Sequence, residues 1–357
     1  MFICPFFCSG QNSLQSLLNR HNKKSSNSTT LVVVETTNNK EFAAINKFKK
    51  GIFYDNSTPF FIGSVSKIFT AITVLKLCEE GKLSLSDSLA KFPFAKKLNK
   101  KIAGYITISN LLKHTSGIAD FTLKVLDSSY PEQNLHTLPI LDRSLNLSED
   151  YILYNLIDSM EAEPGEKCIY SNSNFYLLSK IIEDAANMPY SEAVSQFIII
   201  PLGLKNTYPY ISEKINGIMH SYDDYGNDIL DHKMNELNKI YKGFGNITSS
   251  LKDLMSLFQH LLITKDIVSQ NSLNKMLGFI QSENKSFDCG LGILKINQLS
   301  NIYFGHQGDI LASQIDVFFN PESKLIFSFV TTESNESVKN KILTDILLHC
   351  KKIIENK

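Results

Sequence analysis

The feature that most constrains the fold is a change of pattern along the chain. Between Asp288 and Thr332 short apolar segments follow one another: Gly290 to Ile296, Ile302 to Gly305, Gln314 to Phe319 and Leu325 to Thr331, with Asn320-Pro321-Glu322-Ser323 as a turn. Strands joined by turns this short pair antiparallel, because parallel neighbours need a crossover of a dozen or more residues. The same signal appears near the start. Thr29 to Thr37 is rich in β-branched residues, Asn38-Asn39 is a turn signal, and Glu41 to Phe48 completes a hairpin. From Gly81 to about Asn235 the pattern becomes short helices separated by Ser116-Gly117, Pro164-Gly165 and Pro201-Leu202-Gly203. A helix from Val338 to Ile354 closes the chain, and one around Leu14 to Leu18 precedes a polar linker, Asn22 to Ser28. The expectation is an α+β fold, an antiparallel sheet flanked by helices with an inserted helical lobe. Residues 1–28 form an N-terminal segment and linker, 29–80 and 236–357 the sheet-and-helix domain, and 81–235 the helical lobe.

Composition excludes several classes. The 357 residues are 43% hydrophobic and carry no net formal charge, enough for a large core but without the basic excess that nucleic acid or an anionic membrane surface calls for. Lys96-Lys97 and Lys100-Lys101 read as a solvated face. Cys4, Cys8, Cys78, Cys168, Cys289 and Cys350 are scattered, show no zinc or redox spacing, and are expected as free, mostly buried thiols. The eight histidines form no His-Glu-x-x-His pair, so no metal and no cofactor is expected. Met1 to Phe7 is apolar but lacks a basic flank and is shorter than a secretory core or a membrane span. Cys8-Ser9-Gly10 is similar to a lipoprotein attachment site, although Phe6-Phe7 precede it where small residues are expected. Nothing later reads as transmembrane.

Chemistry enters at Ser64-Val65-Ser66-Lys67. Residues i and i+3 share a helix face, so the Lys67 amine can lie beside the Ser64 hydroxyl and serve as its base. Ile68 to Cys78 reads as a buried helix ended by Glu79, Glu80 and Gly81, which places both side chains in its first turn. Free amides there can bind an oxyanion, while burial and the positive end of the dipole disfavour a protonated lysine. Ser-x-x-Lys also begins at Ser88, Ser249, Ser272 and Ser282, where it reads as an ordinary surface spacing. Those four have no strand before and no buried helix after.

Two further stations are weaker alone. Tyr170-Ser171-Asn172 follows Pro164-Gly165 and precedes a helix beginning near Ser173 with an apolar stripe at Phe175, Leu178, Ile181 and Ile182. A plain reading makes Tyr170 a packing residue and Asn172 a cap, and Tyr-x-Asn recurs at Tyr54 and Tyr225. His306-Gln307-Gly308 sits where the Ile302 to Gly305 strand ends. Gly308 allows close backbone approach to a ligand, and the amide of Asp309 is placed to donate beside that of Ser64. A lone histidine is more often structural.

The order of these stations resembles the serine β-lactamase and penicillin-binding-protein superfamily, in its branch of class C β-lactamases, D-alanyl-D-alanine carboxypeptidases and related esterases. Leu111 to Gly117 is similar to that branch's leucine-leucine-x-histidine-threonine-serine-glycine segment, and Pro201-Leu202-Gly203 to its proline-leucine-glycine turn. The resemblance runs from about residue 29 to the C-terminus. It implies a β-lactamase/transpeptidase-like α/β sandwich whose site lies between sheet and helical lobe. It also implies Ser64 as nucleophile, Lys67 and Tyr170 as proton-transfer residues, and Asn172, His306, Gly308 and Asp309 at the substrate. His306 stands where many relatives carry a lysine that meets a substrate carboxylate, and as a histidine it would bring only a fractional charge near neutral pH. The implied activity is a serine hydrolase working through an acyl-enzyme, as a D-Ala-D-Ala carboxypeptidase or a β-lactamase-like enzyme on a small peptide, β-lactam or ester. An esterase unrelated to peptidoglycan and a catalytically silent scaffold are the alternatives. The implied location is periplasmic or the cell envelope.

Overall fold

The computed structural model of the chain describes residues 14–21, 28–46, 53–98, 102, 104–126, 147–222, 228–231, 234–283, 285–311, 313–333 and 335–355. The Met1 to Phe7 stretch, Cys4, Cys8, Lys100-Lys101, Tyr225 and residues 22–27 of the linker lie outside them.

Eight strands form one antiparallel sheet: β1 (Thr29–Glu35), β2 (Lys40–Asn46), β5 (Ile280–Gln281), β6 (Asp288–Cys289), β7 (Leu294–Gln298), β8 (Asn301–Ile310), β9 (Ser313–Asn320) and β10 (Leu325–Thr331). Their order is β2-β1-β10-β9-β8-β7-β6-β5, so the N-terminal hairpin joins the late strands through β1 and β10, with Val33 opposite Ser328. A separate pair, β3 (Phe60–Phe61) and β4 (Thr248–Ser249), braces the entry to the nucleophile helix. The helices that matter here are α1 (Leu14–His21), α2 (Ser66–Glu79), α3 (Ile108–Leu112), α4 (Asn172–Ala186), α5 (Leu251–Phe258) and α6 (Glu336–Glu355). Among the described residues every element between β3 and β4 is helical.

Both faces of the sheet are covered, which explains why β1 reads as a continuous apolar run rather than an alternation. Val32 and Val34 point outward to Leu14 and Leu18 of α1, Phe318, Phe327 and Phe329, and Ile342 and Ile346 of α6. Leu31 and Val33 point inward with Val317, Ile326 and Val330, into the larger core that holds α2, α4 and α5. The α2 helix is buried on nearly all sides from Ser66 to Leu77. It is therefore a core element, and its polar side chains must find partners inside.

Two sequence expectations are corrected. Cys168 and Cys289 are not free thiols but form a disulfide across 121 residues. Their spacing carries no sign of this, because it is the fold that brings the Tyr170 loop to β6. Cys78 and Cys350 are free. The strand expected to end at Gly305 continues as β8 to Ile310, so His306-Gln307-Gly308 lies within it. Glycine and alternating polar residues weaken the local strand signal there, and pairing with β9 from Phe304↔Phe319 to Ile310↔Ser313 supplies what propensity does not.

Candidate active site

The nucleophile turn and the β8 edge are held together by two glycines. The chain enters α2 through a 3₁₀ turn, Gly63–Val65. Gly63 has φ +49, and a Cβ there would sit 3.1 Å from both the backbone nitrogen and oxygen of Asp309. A Cβ on Gly308 would overlap the carbonyl oxygen of Ile62 and come within 3.3 Å of the Ser64 nitrogen. The last pair between β7 and β8 is Leu294↔Gly305, so residues 306–310 pair with β9 on one side and turn their other edge to the Ser64 turn. Ser64, Tyr170, Phe287, His306, Gly308 and Asp309 line one cavity of about 480 Å³ at this junction.

Lys67 is fully buried at the floor. Its Nζ lies 2.8 Å from Ser64 Oγ, 2.8 Å from Asn172 Oδ1 and 3.3 Å from the Phe244 carbonyl oxygen. Burial holds its pKa well below 10.5, with Asp120 pulling weakly the other way. A neutral amine has two N–H donors and one lone pair. The Asn172 and Phe244 oxygens can only accept, so they take both donors, and the lone pair is left facing the Ser64 hydroxyl. That is the arrangement a general base needs.

Asn172 opens α4, and its amide is oriented from the far side. Its Nδ2 donates to Asp120 Oδ2 at 3.0 Å and to Thr122 Oγ1 at 3.2 Å, which turns the oxygen toward Lys67. Asp120 and the Phe244 carbonyl were not expected from sequence. A main-chain carbonyl has no sequence signature, and Asp120 becomes visible only once α4 is seen to dock on the loop after Ser116-Gly117.

Tyr170 shares a hydrogen bond with Ser64, and the Lys67 Nζ lies 4.9 Å from the centre of its ring. Burial raises the phenol's pKa far above 10, so it stays protonated and can relay a proton rather than act as a standing phenolate. The His114 ring stacks on Tyr170 at 4.3 Å, and Phe287 meets it edge-on at 6.3 Å. His306 lies 6.2 Å away, 2% exposed. Burial, with Lys67 adding to it, pushes the His306 pKa to about 3. Its Nδ1 donates to the Gln307 carbonyl at 2.5 Å, and Nε2 is buried with no hydrogen-bond partner among the described residues. The expected fractional charge is therefore corrected: at neutral pH the imidazole is neutral.

Five of the seven sequence-selected residues, Ser64, Tyr170, His306, Gly308 and Asp309, line this cavity, and Lys67 and Asn172 lie behind Ser64, hydrogen-bonded to each other. The surface reading of the other Ser-x-x-Lys serines is corrected for three of the four: Ser249, Ser272 and Ser282 are buried, and Ser249 ends β4 just before the buried helix α5, where core packing encloses it and it bonds Thr207, while Ser88, which caps a 3₁₀ turn, is only partly covered. No group of three or more His, Cys, Asp or Glu side chains that could hold a metal ion occurs among the described residues.

A buried Ser-x-x-Lys pair on a core helix, facing the edge of a sandwiched antiparallel sheet, defines the class of serine β-lactamases and penicillin-binding proteins. The chain belongs to the Beta-lactamase family, which it matches over residues 21–349. It is 27% identical over 250 residues to Penicillin-binding protein 4* of Bacillus subtilis, covering 65% of this chain and 51% of the relative. With Protein flp of Staphylococcus aureus it shares 31% over 153 residues, 42% of this chain and 28% of the relative. It thus spans about half or less of these relatives' length. Among solved structures, it is similar to a D-stereospecific amidohydrolase from Streptomyces sp. (TM-score 0.75, 22% identity, 93% and 96% of the two chains). It is also similar to D-amino acid amidase from Ochrobactrum anthropi SV3 (TM-score 0.76, 19% identity, 96% and 98%). Both show the shared fold. No helix among its described residues is long and apolar enough to cross a membrane.

Proposed function

We propose that this chain is a serine hydrolase that passes an acyl group from a small amide or ester to Ser64 and then to water. The observation that carries the reading is the Lys67 amine, fully buried and hydrogen-bonded to two obligate acceptors, with its remaining lone pair at Ser64 Oγ 2.8 Å away. Ser64 Oγ attacks the carbonyl carbon as its proton passes to Lys67. The oxyanion meets the amides of Ser64 and Asp309 at the helix start. The proton then passes from Lys67 through the Tyr170 hydroxyl to the leaving amine or alcohol, so that both side chains end as they began, and water then cleaves the acyl-enzyme by the reverse sequence. No cofactor takes part in this scheme.

The resemblance points to D-Ala-D-Ala carboxypeptidase or β-lactamase-like hydrolysis. The neutral, enclosed His306 favours a second reading, an amidase or esterase whose substrate needs no charged partner at that position. The amide-hydrolysing structural neighbours accord with it. A silent scaffold would have no reason to keep a desolvated lysine against a cavity-lining serine. The Cys168–Cys289 disulfide supports an oxidising compartment such as the periplasm or cell envelope. Purified protein tested against a D-Ala-D-Ala peptide, its C-terminal amide, a chromogenic cephalosporin and a short acyl ester separates these readings. Turnover of the neutral amide or ester above the free acid is the expected result. Faster turnover of the free acid restores the carboxypeptidase, and no turnover with no Ser64 adduct from a fluorophosphonate overturns the hydrolase.

A further inference from the structure

We infer that His114 is a positioning residue for the Tyr170-Ser171-Asn172 segment, gripping it with both its ring and its backbone. The inference rests on the reading of Tyr170 as a proton-transfer group. His114 follows the end of α3 at φ +55, a left-handed position that glycine or asparagine would fill at less cost. A buried, non-glycine residue held there points to a local task for its side chain.

Three contacts show what that task is. The His114 carbonyl accepts from the Ile169 amide at 2.8 Å, one residue before Tyr170. Its Nδ1 accepts from the Ser171 amide at 3.1 Å, one residue after. Between these two bonds the imidazole lies flat on the Tyr170 ring, 24° from parallel. The segment is therefore pinned on both sides of the phenol and braced across its face. An amide donor on Nδ1 places the imidazole proton on Nε2. Asn174 secures the clamp from α4, with Nδ2 3.3 Å from the same Nδ1 and Oδ1 accepting from Ser116 Oγ at 2.5 Å. Left-handed geometry at residue 114 is what lets carbonyl and ring address the same strand of chain. The ring does not line the cavity that holds Ser64.

The test is a double-mutant cycle read on a chromogenic short-chain ester, with His114→Phe, Tyr170→Phe and the double variant. His114→Phe keeps an aromatic face but leaves the Ser171 amide without its acceptor. It is expected to lower kcat by roughly 10- to 100-fold with KM within about twofold, as a misplaced group does. The double variant is expected to be no slower than the worse single one. Hydrogen exchange at the Ser171 amide should quicken in His114→Phe. His114→Asn, which tolerates positive φ and offers an acceptor, should restore slow exchange but not kcat; if His114→Phe fails to fold, His114→Ala, which also removes the acceptor, replaces it in both measurements. Independent, additive losses, or an unchanged Ser171 exchange rate, would overturn the inference. Should Tyr170→Phe alone be silent, the proton-transfer reading of Tyr170 fails, and the exchange measurement still decides whether His114 holds the segment.

Discussion

The two ends of α4 meet lysines in opposite circumstances. At its N-terminal end Asn172 meets Lys67, which has three neutral partners and no carboxylate in hydrogen-bond contact. Toward its C-terminal end Lys180, with Lys242 beside it, pairs with Glu149 and Glu183. Burial lowers the Lys180 pKa, but the two glutamates outweigh it and leave the value raised. At Lys67 burial acts almost unopposed, and the value falls. The same side chain thus has its pKa raised at one end and lowered at the other, and the deciding difference is a carboxylate at contact distance. Asn172 is the spacer that creates it, because it stands between Lys67 and Asp120 and hydrogen-bonds both.

The largest expected effect removes the hydroxyl that the Lys67 amine faces. Ser64→Ala should lower turnover by roughly 10⁴-fold or more and abolish covalent labelling by a fluorophosphonate. Labelling that persists on another serine, such as Ser88 or Ser272, would break the assignment.

Next comes Asn172→Asp, which turns the first environment into the second. A carboxylate against Lys67 should raise its pKa, and so cut acylation at neutral pH by roughly 10-fold or more. The sign follows from the base role: acylation needs neutral Lys67, so its rate rises as pH climbs through the lowered pKa, and in the variant that limb moves to higher pH. A pH–rate profile of acylation by a short ester reads both. An unmoved limb would mean that the carboxylate does not set the difference.

The Cys168–Cys289 bond tethers the approach to the catalytic end, two residues before Tyr170, and leaves the ion-paired end untouched. Its removal by Cys168→Ser with Cys289→Ser should cost about 2–4 kcal/mol in denaturant unfolding, given the long loop it closes. The smallest effect belongs to the ion-paired end. Glu183→Gln leaves Lys180 and Lys242 with Glu149 alone and should cost on the order of 1 kcal/mol, because the pairs are partly solvated. Its kcat should stay within about twofold of the wild type. A large kcat loss there would show that the two ends are coupled.

What the sequence reveals of this site is local. Ser64 and Lys67 lie one turn apart, and a buried apolar run marks their helix. Tyr170 and Asn172 share a tripeptide, and the late strands announce an antiparallel sheet. What stays hidden depends on long-range packing. Asp120 reaches Asn172 across 52 residues, Phe244 contributes a backbone oxygen, and Cys168 finds Cys289 across 121. His306 was legible as a residue but not as a charge state, since its neutrality follows from the walls around it. The C-terminal half of β8 was hidden because strand pairing, not propensity, holds it.

The central claim is that burial with no carboxylate at contact distance holds the Lys67 pKa well below that of an ordinary lysine. It is tested most directly by labelling the lysines with ¹³C at Cε, assigning Lys67 by its loss in Lys67→Arg, and following its chemical shift against pH. The expected result is a midpoint well below 10.5 in the wild type and in Ser64→Ala, raised in Asn172→Asp. A Lys67 midpoint at or above 10.5 in the wild type would contradict the account.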